Sequence, residues 1–264
     1  MEKSAEMAEK SNFITEFCKG NVGYKIIETR ILFILLSNDW LIASTCLFLH
    51  YCLKYKMALL ETRHIGNDCM LGIWKLAETE EELRAVLPGI FYNEELQKIV
   101  HAQKRLEWLS SRCLCHVLLA EMQLPPAAIL KDECGKPFLS GGAGQLSFSH
   151  SGEYAVAILH LHCRVGIDLE PAREKIARVA PRVFSEEELK HADSLEKQTL
   201  YWCAKEALYK LYGKRELNFK NEIRISYSEG RYSGSVHRYG EDHHAELTVG
   251  RIGEYTMVYA IEKY

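Results

Sequence analysis

The sequence predicts an α+β protein made of two similar lobes, on three observations. Leu200, Ala204, Ala207, Leu208 and Leu211 form one apolar stripe on a 3.6-residue wheel, the mark of a packed helix. β-prone runs lie on both sides of it: Tyr154 to His160 before, then Glu222 to Tyr227, Arg231 to Tyr239, Ala245 to Val249 and Tyr255 to Ile261 after, with Gly-containing or polar turns between. Gly152-Glu153-Tyr154 and Gly253-Glu254-Tyr255 open two similar runs, which points to a doubled lobe.

From Met70 the elements follow in order. MLGIWKL reads as a strand, and Thr79 with Glu82 three residues on forms a capping box that opens a helix. Asn93 to Met122 reads as helical, with Leu96, Ile99, Val100, Leu106, Leu109, Leu114 and Leu118 at apolar spacing and room for a break near Ala102. Pro125 and Pro126 end it. DECGKPFL is a turn followed by an extended run. SGGAG at 140–144 is turn material without the strand-Gly-helix context of a phosphate loop. Leu146 to Ser149 is a strand, Ser151-Gly152 a turn, and Tyr154 to His160 a strand buried on both faces. The run from Pro171 to Phe184 holds Arg173, Lys175, Arg178 and Arg182 without a strong apolar stripe, and reads as a loop or short surface helix. Ser185 then caps a helix, with Glu188 at the capping-box position.

Composition excludes more than it selects. The 264 residues are 47% hydrophobic and 26% charged, which is ordinary for one large globular domain or two small ones. A net charge of −3 carries no overall signal for nucleic acid. Nine cysteines, with no C-x-x-C pair and only one residue between Cys113 and Cys115, fit free thiols in a reducing cytoplasm. His191, His237, His243 and His244 lack metal-ligand spacing and read as surface histidines.

The chemistry concentrates between Val165 and Gly213. In an extended GIDLE, Asp168 and Glu170 share one face. On the helix that follows, Trp202, Lys205, Glu206, Tyr209 and Lys210 fall largely outside the apolar stripe. Two acids on a strand, and an acid between lysines on a helix, suit a hard cation holding a phosphorylated ligand. Either half alone is commonplace, and the acids alone would also serve a metal-dependent hydrolase.

Taken in order, G-I-D-x-E, F-x-x-x-E at Phe184 and Glu188, and W-x-x-K-E-A-x-x-K from Trp202 to Lys210 resemble the 4'-phosphopantetheinyl transferases. The resemblance is closest to the two-lobed type and covers residues 70 to 264. It implies a pseudo-twofold pair of lobes with the active site between them. R-x-E-W-L-x-x-R resembles the family's first-lobe signature, which implies that Arg105 and Arg112, with Lys104 beside them, meet the 3'-phosphate end of coenzyme A. Without it, these would be cations on a solvated helix face. The G-K-P turn implies that Lys136 lies near the cofactor phosphates, and F-S-H-S-G that Ser149 and His150 contact the cofactor.

The resemblance further implies Mg²⁺ on Asp168, Glu170 and Glu206, phosphate charge met by Lys205 and Lys210, and Trp202 as the anchor that seats the helix. The catalytic set is Glu206, Lys210 and Asp168, with Glu206 a candidate to deprotonate the acceptor directly or through water. The implied reaction moves 4'-phosphopantetheine from coenzyme A to a serine of an apo acyl or peptidyl carrier protein and releases 3',5'-ADP. The expected domains are an N-terminal extension at 1–56, a coenzyme A-binding lobe at 57–164, and a Mg²⁺-binding catalytic lobe at 165–264. Carrier proteins are acidic around the modified serine, so the basic run at 173–182 is a docking candidate, with a merely solvated segment as the alternative.

Residues 1–56 fall outside the resemblance. Ile31 to Leu53 is apolar and long enough to span a bilayer, but Asn38 and Asp39 interrupt it, and an Asp deep in lipid costs about 3 kcal/mol. It reads as an anchor, as elements packed on the domain, or as sequence upstream of a true start at Met57, which is the preferred reading. A monomeric cytoplasmic enzyme, with neither nucleic acid nor membrane as partner, is the expectation. Its rivals are a carrier-binding homologue without catalysis and a membrane-anchored protein.

Overall fold

Two antiparallel sheets, each backed by a long helix, form an α+β fold. The computed structural model describes residues 59–87, 89–91 and 94–263. The Ile31–Leu53 run and the Met57 boundary lie outside them. In chain order, β1 (Leu59–His64) and β2 (Cys69–Lys75) precede α1 (Glu80–Val86), α2 (Glu94–Lys98) and α3 (Ala102–Glu121). A small hairpin, β3 (Ile129–Lys131) and β4 (Pro137–Leu139), leads to β5 (Gln145–Ser151) and β6 (Tyr154–His160). Then come β7 (Val165–Pro171), α4 (Glu174–Val183), α5 (Glu186–His191) and α6 (Leu195–Tyr212). The chain closes with β8 (Ile223–Ser228), β9 (Arg231–Arg238), β10 (Glu241–Ile252) and β11 (Tyr255–Glu262). The first sheet runs β1-β2-β6-β5 and the second β7-β11-β10-β9-β8.

Alternation along the strands sorts the core into layers. Cys69, Leu71 and Ile73 of β2 and Val156 and Ile158 of β6 pack against Val165, Ile167 and Leu169 of β7 and Met257 and Tyr259 of β11. The two sheets thus share an apolar interior. On the far side of the first sheet lies α3, buried without interruption from Trp108 to Ala120. On the far side of the second lies α6, where Ala204, Ala207, Leu208 and Leu211 of the predicted stripe are fully buried. The chain breaks between α2 and α3, where Val100 is 89% exposed. A solvent-facing Val at that point leaves the helical run without an apolar contact to carry it through.

One element differs from its sequence reading. The basic segment after β7 is a ten-residue helix, α4, that buries Ile176 and Ala180 one turn apart, followed by Phe184 in the core. The stripe is narrow because charged residues interrupt it and Val179 and Val183 are only half-buried, which hid it from periodicity.

The repeated Gly-Glu-Tyr tripeptides meet in space. Each forms a two-residue hairpin connection, β5 to β6 and β10 to β11, with positive φ at its glycine: 57° at Gly152 and 54° at Gly253. Glycine adopts this conformation without a Cβ clash. The Tyr154 and Tyr255 rings pack edge to face at 5.2 Å, and the Tyr255 hydroxyl fills the space a Cβ on Gly152 would need, at 2.1 Å.

Gly166 sets how close α6 can lie to β7. A Cβ there would stand 1.8 Å from the Ala207 carbonyl oxygen and 2.7 Å from the Leu211 nitrogen. Both are helix backbone, so the helix as a whole would have to withdraw. Gly166→Ala is therefore expected to lower the unfolding free energy by about 1–3 kcal/mol or more, the usual cost of overpacking. Urea unfolding of the two proteins checks it, and equal midpoints would show that α6 moves freely.

Candidate functional site

The site begins where β5 meets β7. These edge strands belong to different sheets and are joined by side chains in place of a backbone ladder. The run Ser147-Phe148-Ser149-His150-Ser151 alternates, so its three serines face β7. Ser147 Oγ accepts from the Ile167 amide (3.1 Å), Ser149 Oγ donates to Asp168 Oδ1 (2.9 Å), and Ser151 Oγ donates to Glu170 (3.2 Å). Phe148 and His150 point the other way, into a cleft of about 620 Å³.

Lys210, on α6, closes the junction. Its ammonium donates to Asp168 Oδ1 (2.7 Å), the Ile167 carbonyl (2.9 Å) and Ser149 Oγ (3.1 Å). Asp168 is buried, and its second oxygen, Oδ2, has no hydrogen-bond partner. One turn earlier on the helix, burial and then the Asp168 charge push the Glu206 carboxyl up to about 7, against the pull of Lys210 and with a further push from Glu170. Burial and the Asp168 charge also raise Glu170. Three acids therefore share one electrostatic neighbourhood with one lysine, which makes it costly for all of them to be charged.

The cleft is basic. Lys98, Lys104, His101, Arg112 and Lys131 line it, together with Glu95, Glu107 and Trp108. The Arg112 guanidinium lies 3.8 Å over the Trp108 ring and donates to Ser111 Oγ (3.2 Å) and Glu95 (3.3 Å). His150 makes a backbone hydrogen bond to Glu107, while its buried Nε2 has no partner. Burial first, then the charges of Lys210, Lys104 and Arg112, push the imidazole down to about 3. It is therefore neutral, and an anion entering among those cations would offset their share of the pressure on it.

Could these residues hold a cation? Among the described residues, no three His, Cys, Asp or Glu side chains form a ready-made metal cluster. The donor chemistry nevertheless fits a hard ion. The candidate atoms are all carboxylate oxygens, the buried Asp168 Oδ2 is unpartnered, and the raised Glu170 and Glu206 carboxyls sit in a negative field that a cation would relieve.

Residues 164–260 match the family model of the 4'-phosphopantetheinyl transferase superfamily, and residues 93–160 match the model of the 4'-phosphopantetheinyl transferase N-terminal domain. The chain belongs to this superfamily. The match to a separate N-terminal domain accords with its two-lobed type. Among solved structures, the crystal structure of Thermotoga maritima holo-[acyl-carrier-protein] synthase is similar, at 18% identity and a TM-score of 0.32. That similarity covers 39% of this chain, which spans 64% of the other's length. No curated protein matches the chain.

The structure divides the residues that the transferase motifs single out. Asp168, Glu170, Glu206, Lys210 and Ser149 come together at the β5–β7 junction, and Arg112 and His150 in the adjoining cleft. Three cations lie elsewhere. Arg105 spends its guanidinium on Glu80 (2.7 and 2.5 Å) and on the Leu96 and Ile99 carbonyls (2.9 and 3.0 Å), so it ties α1 and α2 to α3 and does not line the cleft. Lys205 is fully buried, and its ammonium is saturated by Glu188 (2.9 Å) and the Phe219 and Ile223 carbonyls (2.6 and 2.7 Å). Glu188 in turn accepts from the Ser185 and Ile225 amides. The F-x-x-x-E and K-E motifs thus meet in a structural clamp joining α5, α6 and β8, and Lys205 is not a phosphate contact. Trp202 stacks on Phe219 (6.1 Å), as expected of an anchor.

Lys136 is the third. Its ammonium donates to the Leu211 carbonyl (2.7 Å) at the C-terminal end of α6, where a cation meets the negative end of the helix. Lys98, Lys131 and Glu95 were not legible as cleft residues, because nothing local distinguishes them from surface charges. His237, placed between Ser235 Oγ (2.8 Å) and Asp242 (2.7 Å), lies on the β9–β10 hairpin outside the cleft lining.

Burial, helped by Arg164 and opposed by Asp132 and Glu262, pulls Lys136 down to about 8 from the 10.5 of an ordinary lysine. The folded-state value lies below the unfolded one, so the chain releases a proton on folding between them. The penalty for burying the charge is fully present below pH 8 and fades as pH rises through 8 to 10.5. Wild type should therefore gain stability relative to Lys136→Met between pH 7.5 and 10. Urea unfolding at both ends measures it, and a constant difference would contradict the assignment.

Proposed function

We propose that this protein transfers the 4'-phosphopantetheine group of coenzyme A to a serine of an apo acyl or peptidyl carrier protein, releasing 3',5'-ADP. The observation that carries this reading is the continuity of a basic cleft with an acid-lysine junction: His150 lines the cleft, and its neighbour Ser149 is bonded to both Asp168 and Lys210. A ligand with a distal phosphate and a central pyrophosphate needs this pair of environments, one for each charge.

The reaction is a displacement at phosphorus. The serine oxygen forms a bond to the phosphorus that carries pantetheine, the bridging P–O bond of the pyrophosphate breaks, and 3',5'-ADP leaves with that oxygen. The serine proton passes to a base. Glu206 is the candidate, directly or through water, although holding the cation and taking the proton compete for the same oxygens. Lys210 stands where an ammonium can shift from Asp168 towards phosphate oxygens without moving its helix. Arg112, with its fork over Trp108, suits the distal phosphate.

Asp168, Glu170 and Glu206 are the residues that would hold Mg²⁺. When bound, it would neutralise pyrophosphate charge as a Lewis acid. Ser149 keeps Asp168 oriented, and the apolar layer between the sheets fixes the strand that carries it. A cytoplasmic setting is part of this proposal. Among the described residues, no helix is long and apolar enough to cross a membrane.

The test is mass spectrometry of an apo carrier protein incubated with the full chain, coenzyme A and Mg²⁺. A mass gain of one phosphopantetheine is expected, and none across several acyl and peptidyl carriers would overturn the proposal. Kinetics of two variants then separate the environments. Asp168→Ala should depress turnover far more than coenzyme A binding. Arg112→Ala should chiefly raise KM for coenzyme A, about ten- to hundredfold for one charge-assisted phosphate bond, and have little effect with 3'-dephospho-coenzyme A. Equal losses with both cofactors would remove Arg112 from the distal-phosphate site.

A further inference from the structure

The cleft already contains an anion of its own. The Glu95 carboxylate accepts from Trp108 Nε1 (3.0 Å) and Arg112 Nη2 (3.3 Å) and pairs with the Lys131 ammonium. These donors come from α3 and from the β3–β4 hairpin that follows it, and converge on one acid of α2. A planar fork, an indole N–H and an ammonium around one group of oxygens is the donor set a phosphate monoester would use. Burial works against the charged carboxylate, yet Lys131, Trp108 and Arg112 together hold its pKa below the usual range, so the group is ionised at neutral pH. Among the described residues, the other acid that lines the cleft, Glu107, is paired with Lys104 at 2.6 Å.

We infer that Glu95 is an internal counter-anion whose carboxylate occupies the distal-phosphate donors of the cleft and must be displaced when a 3'-phosphorylated ligand binds. This rests on the proposed function for the ligand, but not on catalysis. It assigns Glu95 two effects. In the free protein it holds Arg112, Lys131 and Trp108 close together despite the repulsion between the two cations. In the complex it competes, so that coenzyme A and 3',5'-ADP, which carry the same phosphate, bind less tightly than the donors alone would allow. A product that keeps the phosphate is then released more readily. A phosphate monoester bears about −1.5 to −2 charges against the single charge of a carboxylate, so it can win the exchange.

The test is isothermal titration of the full-length protein and of Glu95→Gln with 3',5'-ADP, coenzyme A and 3'-dephospho-coenzyme A. The amide keeps an acceptor oxygen for Trp108 and Arg112 while removing the charge. Affinity for 3',5'-ADP and coenzyme A should rise about tenfold, the gain should shrink at high salt, and 3'-dephospho-coenzyme A should change by less than about twofold. Glu95→Ala should follow the same order if the competition is electrostatic.

Unchanged or weaker 3',5'-ADP binding in both variants would overturn the inference and make Glu95 a scaffold for its donors. An equal gain with the dephospho cofactor would also overturn it. Carrier modification by wild type separates the two proposals. Transfer without tighter binding in the variants leaves the function standing and removes the inference. Tighter 3',5'-ADP binding in the variants without transfer does the reverse.

Discussion

The structure depends on the meeting of β5 with β7. Two edge strands that could have continued one sheet are instead held by three serine hydroxyls, and that choice makes room for chemistry. A backbone ladder would have used the Ile167 carbonyl and amide. Here the amide is satisfied by Ser147 and the carbonyl by Lys210, so a helix side chain enters the seam between the sheets. The period of two along the strand does the rest. Serines bind the second sheet while Phe148 and His150 line the cleft, which makes one seven-residue strand common to both environments.

The helix α6 answers this with an opposite division of labour. Its Lys205-Glu206 pair points two ways. Lys205 is taken into the interior by Glu188 and two carbonyls, where losing one partner of a buried pair typically costs about 3–5 kcal/mol. Glu206 and Lys210, one turn apart, face the acids of β7. Gly166 allows the helix backbone to lie against that strand, so the reach of Lys210 is set by packing and not by the flexibility of its side chain. Motif residues adjacent in sequence thus have unlike duties, one stabilising the helix that presents the other.

Much of this was legible in the sequence where periodicity and caps speak. The α6 stripe, both capping boxes, the break before α3 and the strands that follow α6 could be read directly, because local hydrogen bonding and apolar spacing determine them. The GIDLE acids and Lys210 could be nominated because their residue types have few other uses in that order. Direction was not legible. Arg105 and Lys205 carry the right charge for phosphate, yet each is saturated by partners 25 and 17 residues away in sequence, Glu80 and Glu188. The amphipathic α4 was masked by its three basic residues, and Glu95 lies in a short charged helix with no pattern to mark it. Tertiary partners decide which cations are available, and sequence spacing does not encode them.

In the proposed reaction, the seam between the sheets is a working site and not only a joint. Lys210→Met examines it most directly, with turnover and folding measured on the same sample. The variant should retain its circular dichroism spectrum and cooperative unfolding at the assay temperature. Its rate of carrier modification should fall at least about a hundredfold, a loss typical of removing one preorganised charge from a transition state. A folded variant that modifies its carrier at the wild-type rate would contradict it, and would leave Lys210 as a structural bridge between β5, β7 and α6.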